Sequence, residues 1–225
     1  MMSEQNNVMQ SDDIELMSDF FDRRIEQYDE IHHQSNISWG IEIRDIVSKF
    51  VSSDGLNILD LGAGTGIELE QIFNKFPNSK ITCIDISEQM LSRLKKKFND
   101  KNIKVVKADF LKMNLGRCKY DVVVSVMALH HFLLEKKEEL YKNIYNSLKE
   151  SGLFINSDYI VNTLEEENFY RNQYLNLAIS KDLLIHFDIP LSYSNEIKAL
   201  QNAGFKNINN VFENKKTKVI LAYKN

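Results

Sequence analysis

Three of the chain's eight glycines, Gly62, Gly64 and Gly66, fall within one segment, Ile58-Leu59-Asp60-Leu61-Gly62-Ala63-Gly64-Thr65-Gly66. An apolar run entering closely spaced glycines is a strand that turns sharply and lets the backbone approach a ligand without Cβ collision. The spacing is G-x-G-x-G with Ile67 next, not the G-x-G-x-x-G/A of a dinucleotide fold, so a nicotinamide-dependent oxidoreductase is excluded. No Gly-Lys-Ser/Thr follows, which excludes a P-loop. Asp85 closes the next apolar run, about 20 residues on, where a carboxylate can accept from both hydroxyls of a ribose. Asp109 stands in the same relation to the third run. The five histidines (His32, His33, His130, His131 and His186) all lie outside the apolar runs. His131 is placed to act as a general base, or as a residue that caps its loop beside a ligand. His32 or His33, with His186 and Asp188 of His186-Phe187-Asp188, could instead converge on a divalent metal; no metal is the primary reading.

These residues need a scaffold, and the periodicity supplies one. Short apolar strands are expected at 57–61, 80–85, 103–108, 120–126 and 152–159, with helical runs at 67–76, 89–98 and 136–149 between them. Buried strands joined by helical crossovers specify a parallel sheet covered on both faces, a doubly wound α/β fold. A helix at 194–203, ended by Gly204, precedes two strands in FKNINNVF and KVILAYK that form an antiparallel hairpin. Residues 1–11 read as a flexible tail and 12–51 as two lid helices, carried by Ile14, Met17, Phe20, Phe21, Ile25, Tyr28 and Ile31, then by Trp39, Ile43, Ile46, Val47 and Phe50. Residues 160–192 interrupt the alternation and are expected to be a helical, aromatic-rich cap over the carboxyl edge of the sheet, where ligands bind. Residues 12–225 are then a single domain.

Composition narrows the partners. With 28 Lys+Arg against 32 Asp+Glu the net charge is -4, which gathers no nucleic-acid phosphates. The longest apolar stretch, 122–129, is broken by Ser125 and too short to span a bilayer. The start, MMSEQNNVMQSDD, has neither the basic nor the apolar region of a signal peptide, and Cys83 and Cys118 match no metal or redox spacing. A cytoplasmic protein with free thiols is expected, with a small-molecule partner, no membrane and a homodimer as a compatible state.

The motifs DLGAGTG (60–66), CIDIS with Asp85, KADF with Asp109 and SVMALHHF (125–132) occur in this order, and they resemble the class I S-adenosylmethionine-dependent methyltransferases from about Asn57 to Gly152. The resemblance implies a seven-stranded, mostly parallel, Rossmann-like sheet. It implies S-adenosylmethionine as cofactor, with Gly62, Ala63, Gly64 and Gly66 forming its turn and Asp60 orienting that turn. Asp85 would hold the ribose, with Ile86 and Met90 beside it; Asp109 would accept from the adenine amino group and Phe110 N–H would address the ring. Backbone near Val126 would receive the methionine amino group, and Tyr28 would close over the methionine. The segments FFDRRIEQYDE and HFDIPLS are similar to small bacterial members of this class, and Tyr159, His186 and Tyr193 are candidates for the substrate side. The chain departs from the family at Glu150-Ser151-Gly152, where Pro-Gly-Gly is frequent. The implied reaction is in-line methyl transfer to a small-molecule acceptor, releasing S-adenosylhomocysteine. The alternatives are a tRNA-base methyltransferase and a non-catalytic S-adenosylmethionine-binding module.

Overall fold

The computed structural model describes residues 15–33, 45–177, 183–215 and 217–225, with the backbone alone over 27–33. The expected tail and most of the second lid helix lie outside these residues. Helix α1 is Met17–His33, and a helical turn at 45–49 leads to the first strand.

Seven strands follow: β1 Asn57–Leu61, β2 Lys80–Asp85, β3 Ile103–Lys107, β4 Tyr120–Val126, β5 Leu148–Tyr159, β6 Asn207–Asn214 and β7 Thr217–Tyr223. They form one sheet in the order β3-β2-β1-β4-β5-β7-β6. The pairs β1–β2, β2–β3, β1–β4 and β4–β5 are parallel, whereas β7 runs antiparallel to both β5 and β6. The mixed sheet and terminal hairpin agree with the expected architecture. Helices α2 Ile67–Lys75, α3 Glu88–Lys97 and α4 Leu134–Ser147 make the crossovers, α5 is Leu164–Asn176 and α6 is Tyr193–Ala203.

Alternation along the strands splits the core in two. Leu59, Leu61 and Phe154 pack with Leu140, Tyr141 and Ile144 of α4 and with Leu200 of α6. Ile58, Val122 and Ile155 pack on the other face with Leu69 and Ile72 of α2 and Leu94 of α3. The strand order reverses between β1 and β4, so the crevice beyond their carboxyl ends is where this architecture receives a ligand.

Two elements differ from the sequence expectation. β5 begins earlier, at Leu148, because Leu148 pairs with Tyr120 before an irregularity lets Leu153 pair with Val122; Ser151, at φ 60, turns the backbone there. The 160–192 segment is helical only to Asn176 in its first part. Its later part, 183–192, is extended, because its backbone pairs with other segments: Met17 N–H donates to Leu184 O at 3.0 Å and His186 N–H to Glu15 O at 3.0 Å. Ser192 also bridges to Val161.

Candidate functional site

The glycine turn leaves β1 at its carboxyl end. Gly62, Gly64 and Gly66 have φ of 75°, 49° and 71°, the left-handed region that favours glycine. A Cβ on Gly62 would lie 2.4 Å from Ala128 Cβ, so the turn and the end of β4 could not approach as they do with any other residue. Gly62 and Ala63 N–H both donate to Ile84 O, at 2.9 and 3.1 Å, which ties the turn to β2. Asp85 completes it: one carboxylate oxygen accepts from Gly64 N–H and the other from Ser87 N–H, each at 2.8 Å. Burial pushes the Asp85 carboxyl up against the opposing pull of these donors.

The turn forms one wall of a cavity of about 600 Å³. Of the residues expected to hold a cofactor, Gly62, Gly64, Asp85, Ile86, Met90, Asp109, Phe110 and Val126 line it. Asp109 Oδ1 accepts from Leu111 N–H at 3.0 Å, while its buried Oδ2 accepts no hydrogen bond and has Lys112 Nζ at 3.4 Å. Phe110 and Phe132 meet edge to face beside it, at 5.6 Å between centroids. The donor set fits S-adenosylmethionine: a carboxylate at the end of β2 for ribose hydroxyls, an acceptor oxygen with apolar rings for adenine, and the glycine turn with the end of β4 for the methionine.

The remaining candidates lie elsewhere. Ala63 is buried, and Gly66 starts α2, where a Cβ would meet Phe98 at 2.8 Å. Asp60 sits behind the turn, buried, with neither oxygen taking a hydrogen bond from an N–H or hydroxyl group. Burial, then the neighbouring Glu68, push its carboxyl well above the usual range. Tyr28 is within α1, and its side chain lies outside the described residues.

Beyond β4 stands a histidine cluster. His130 Nδ1 is 2.6 Å from Asp158 Oδ1, and its Nε2 is 3.5 Å from Asp188 Oδ1. Although burial opposes it, the Asp158 and Asp188 carboxylates raise the His130 imidazole above its ordinary range. His131 behaves oppositely: burial, then His130 and His186, hold it well below that range. His131 Nδ1 lies 3.1 Å from Phe187 O and 3.4 Å from Asp188 Oδ1. Both partners only accept, so Nδ1 carries the hydrogen and Nε2 the lone pair. The metal grouping suggested by sequence falls partly outside the described residues at His32 and His33; what converges with Asp188 is His130 and His131. His186 instead stacks on Phe20 at 3.3 Å, with His131 4.8 Å away.

Comparison with known proteins bears on this cavity. Residues 58–152, from β1 into β5, match the family described as a methyltransferase domain. Carboxy-S-adenosyl-L-methionine synthase of Nautilia profundicola is 31% identical over 194 residues, covering 80% of this chain and 82% of that protein. The chain belongs to the class I S-adenosylmethionine-dependent methyltransferases. Malonyl-[acyl-carrier protein] O-methyltransferase 2 of Ilyobacter polytropus is 31% identical over 81% of this chain, which spans 63% of that longer protein. Human N-acetylserotonin methyltransferase, solved with S-adenosylmethionine, shares the fold at a TM-score of 0.62 and 22% identity, over 83% of this chain and 52% of that one. The cyclase SpnF shares it at 0.71 and 12%, over 92% and 94%. The methyltransferase is an enzyme whose cofactor is S-adenosylmethionine, and none of its described helices is long and apolar enough to cross a membrane.

A second cavity of the methyltransferase adjoins the first. The two share His131, Phe132 and Leu184. Neither Tyr159, His186 nor Tyr193 lines either of them: Tyr159 OH is 2.7 Å from Tyr170 OH, and Tyr193 packs against the α4–α6 face of the core. Sequence reasoning missed Met17, Phe21 and Leu184 on the cofactor wall, which come from α1 and from the extended 183–192 segment. It also missed Met127, whose φ of 51° at the end of β4 is unusual for a residue with a side chain. The switch-point position of the strand was the one available signal for that residue.

Proposed function

We propose that this methyltransferase moves the methyl group of S-adenosylmethionine to a small-molecule acceptor whose proton is taken by His131. One observation carries the reading: His131 is the ionisable side chain shared by the motif-lined cavity and the apolar cavity beside it. The cofactor would be held by Asp85 at the ribose, Asp109 with Phe110 at the adenine, and Gly62, Gly64 and Val126 at the methionine. Bound there, S-adenosylmethionine supplies an electrophilic methyl whose C–S bond breaks with its electron pair left on sulfur, while the acceptor forms the new bond.

The residues contribute position and charge. Enclosing both reactants in adjoining walls replaces a bimolecular encounter with an oriented one. His131 Nε2, the basic nitrogen, takes the acceptor's proton, so the positive charge lost at sulfur reappears on the imidazole. Asp188, 3.4 Å from Nδ1, stabilises that imidazolium. His130, held between Asp158 and Asp188, keeps its proton and leaves His131 as the neutral member of the pair.

By their names one relative makes carboxy-S-adenosyl-L-methionine and another methylates malonyl-[acyl-carrier protein], and a shared fold hosts many acceptors. The net charge of -4 weighs against a transfer-RNA substrate. Two unpaired cysteines, one exposed, suit a reducing cytoplasm. A homodimer would leave the chemistry within each protomer, because one chain supplies the cavity walls. Calorimetric titration tests the reading: S-adenosylhomocysteine should bind, NADH should not, and Asp85→Ala should weaken S-adenosylhomocysteine more than tenfold. Binding of NADH instead, or an indifferent Asp85→Ala, would overturn it.

A further inference from the structure

Resting on that assignment, we infer that the second cavity takes the methyl acceptor and that the acceptor is an uncharged aromatic ring bearing a hydroxyl group, a phenol-type compound. The walls argue for the ring. Leu133, Tyr174, Ile185 and Ile189 are buried and belong to an apolar cluster with Phe187 that is separate from the two sheet cores. A core cluster normally fills its own centre. This one, with Leu111 of the segment after β3, instead borders an open cavity that its own side chains leave unfilled.

Charge argues for neutrality. Besides His131 and Tyr174, whose phenol burial keeps neutral, the ionisable lining residues are Glu135 and Lys136 in the first turn of α4, adjacent and of opposite sign, so they offer no net field to a charged ligand. A carboxylate or ammonium pressed against leucine and isoleucine would lose its hydration without a compensating partner.

The junction argues for the hydroxyl. The two cavities meet at His131, whose Nδ1 hydrogen is directed to Phe187 O and Asp188, leaving Nε2 as an acceptor. An acceptor nitrogen matches an O–H donor. It repels a carboxylate, which has no proton to give, and a primary ammonium would place its charge among Leu184, Phe132 and Ile185. The balance is complete for a phenol: its O–H bond breaks, the proton passes to His131 Nε2, and the oxygen pair forms the bond to the methyl carbon.

The test uses the full chain saturated with S-adenosylhomocysteine and three probes that share one ring system, 1-naphthol, 1-naphthoate and 1-naphthylmethylamine, titrated by calorimetry. The expected result is that 1-naphthol binds at least tenfold more tightly than either charged probe. Ile189→Arg should weaken it tenfold or more while S-adenosylhomocysteine affinity stays within twofold. Leu183→Trp changes a half-exposed rim position that folding tolerates, and should also weaken 1-naphthol. With S-adenosylmethionine in place of its product, 1-naphthol should gain one methyl group by mass spectrometry. If S-adenosylhomocysteine fails to bind, the cofactor reading itself falls. If it binds but the charged probes equal or exceed 1-naphthol, or both cavity variants leave 1-naphthol binding unchanged, this inference alone is overturned.

Discussion

His130 and His131 are adjacent, identical in side chain and both buried, yet the structure gives them opposite duties. His130 turns to the Asp158 carboxylate, while His131 turns to a carbonyl and opens onto both cavities. His131→Gln should therefore lower kcat by about 10²- to 10⁴-fold, the ordinary contribution of a positioned base, with little change in S-adenosylhomocysteine affinity. Because burial holds His131 below its ordinary range, its neutral form persists at acidic pH. The wild-type rate should stay level as pH falls through 6.5 and decline only lower; a decline centred at 6.5 would count against His131. Asp188→Asn should lower kcat about tenfold with KM unchanged, since its carboxylate faces the His130 and His131 imidazoles and lines neither cavity. A different titration concerns stability. Asp60 has its carboxyl raised, so the folded protein binds a proton there that the unfolded chain releases. The Asp60 contribution is fully present below the unfolded pKa of about 3.9 and is lost as pH rises towards the folded value, at about 1.4 kcal/mol per pH unit. Asp60→Asn, which removes this titration, should flatten the fall of Tm as pH rises above the unfolded carboxyl pKa of about 3.9; a curve parallel to wild type would refute the raised Asp60 carboxyl.

At the level of elements, the strands and the glycine turn were legible because their signals are local. Asp60-Leu61-Gly62-Ala63-Gly64-Thr65-Gly66 needs only its flanking strand and helix to be recognised, while Asp85 ends β2 and Asp109 follows β3. The lid was legible as a helix but not as a wall. Met17 and Phe21 line the cavity only because α1 is anchored at its start and along its middle by distant residues. Ser87 Oγ donates to the Asp22 carboxylate, Arg93 donates to Ile25 O at 2.6 Å, and Met17 N–H reaches Leu184 O at 3.0 Å. None of these pairings has a sequence signature, and the same holds for Asp158 with His130. The extended 183–192 segment is not helical for a related reason: its apolar residues fit a helix, while its backbone hydrogen bonds are with Glu15, Met17, His130 and Val161. If the anchors hold the lid closed, Asp22→Ala should speed S-adenosylhomocysteine dissociation several-fold in stopped-flow traces and change association little. Equal dissociation rates would show that α1 closes independently of Ser87.

For the whole molecule, the consequence is that the motif-lined cavity joins the sheet to α1 and the 183–192 segment. Its walls come from the turn after β1, β2, α3, the loop after β3, the end of β4 with the turn beyond it, α1 and the extended 183–192 segment. A ligand that binds only when all of these are assembled stabilises the assembled state by mass action. At a concentration 100 times Kd, S-adenosylhomocysteine should add about 2.7 kcal/mol. For a chain of this length each kcal/mol raises Tm by roughly 2–4 °C, so a shift of about 5–10 °C is expected in differential scanning fluorimetry. Asp85→Ala, tested at the same ligand concentration, should show a shift smaller by a few degrees, because its Kd has risen and the ratio of ligand to Kd has fallen. A wild-type shift below about 2 °C at that saturation would mean that α1 and the 183–192 segment open without unfolding the sheet. The lid would then form a separate cooperative unit, and the coupling of cofactor binding to global stability would have to be abandoned.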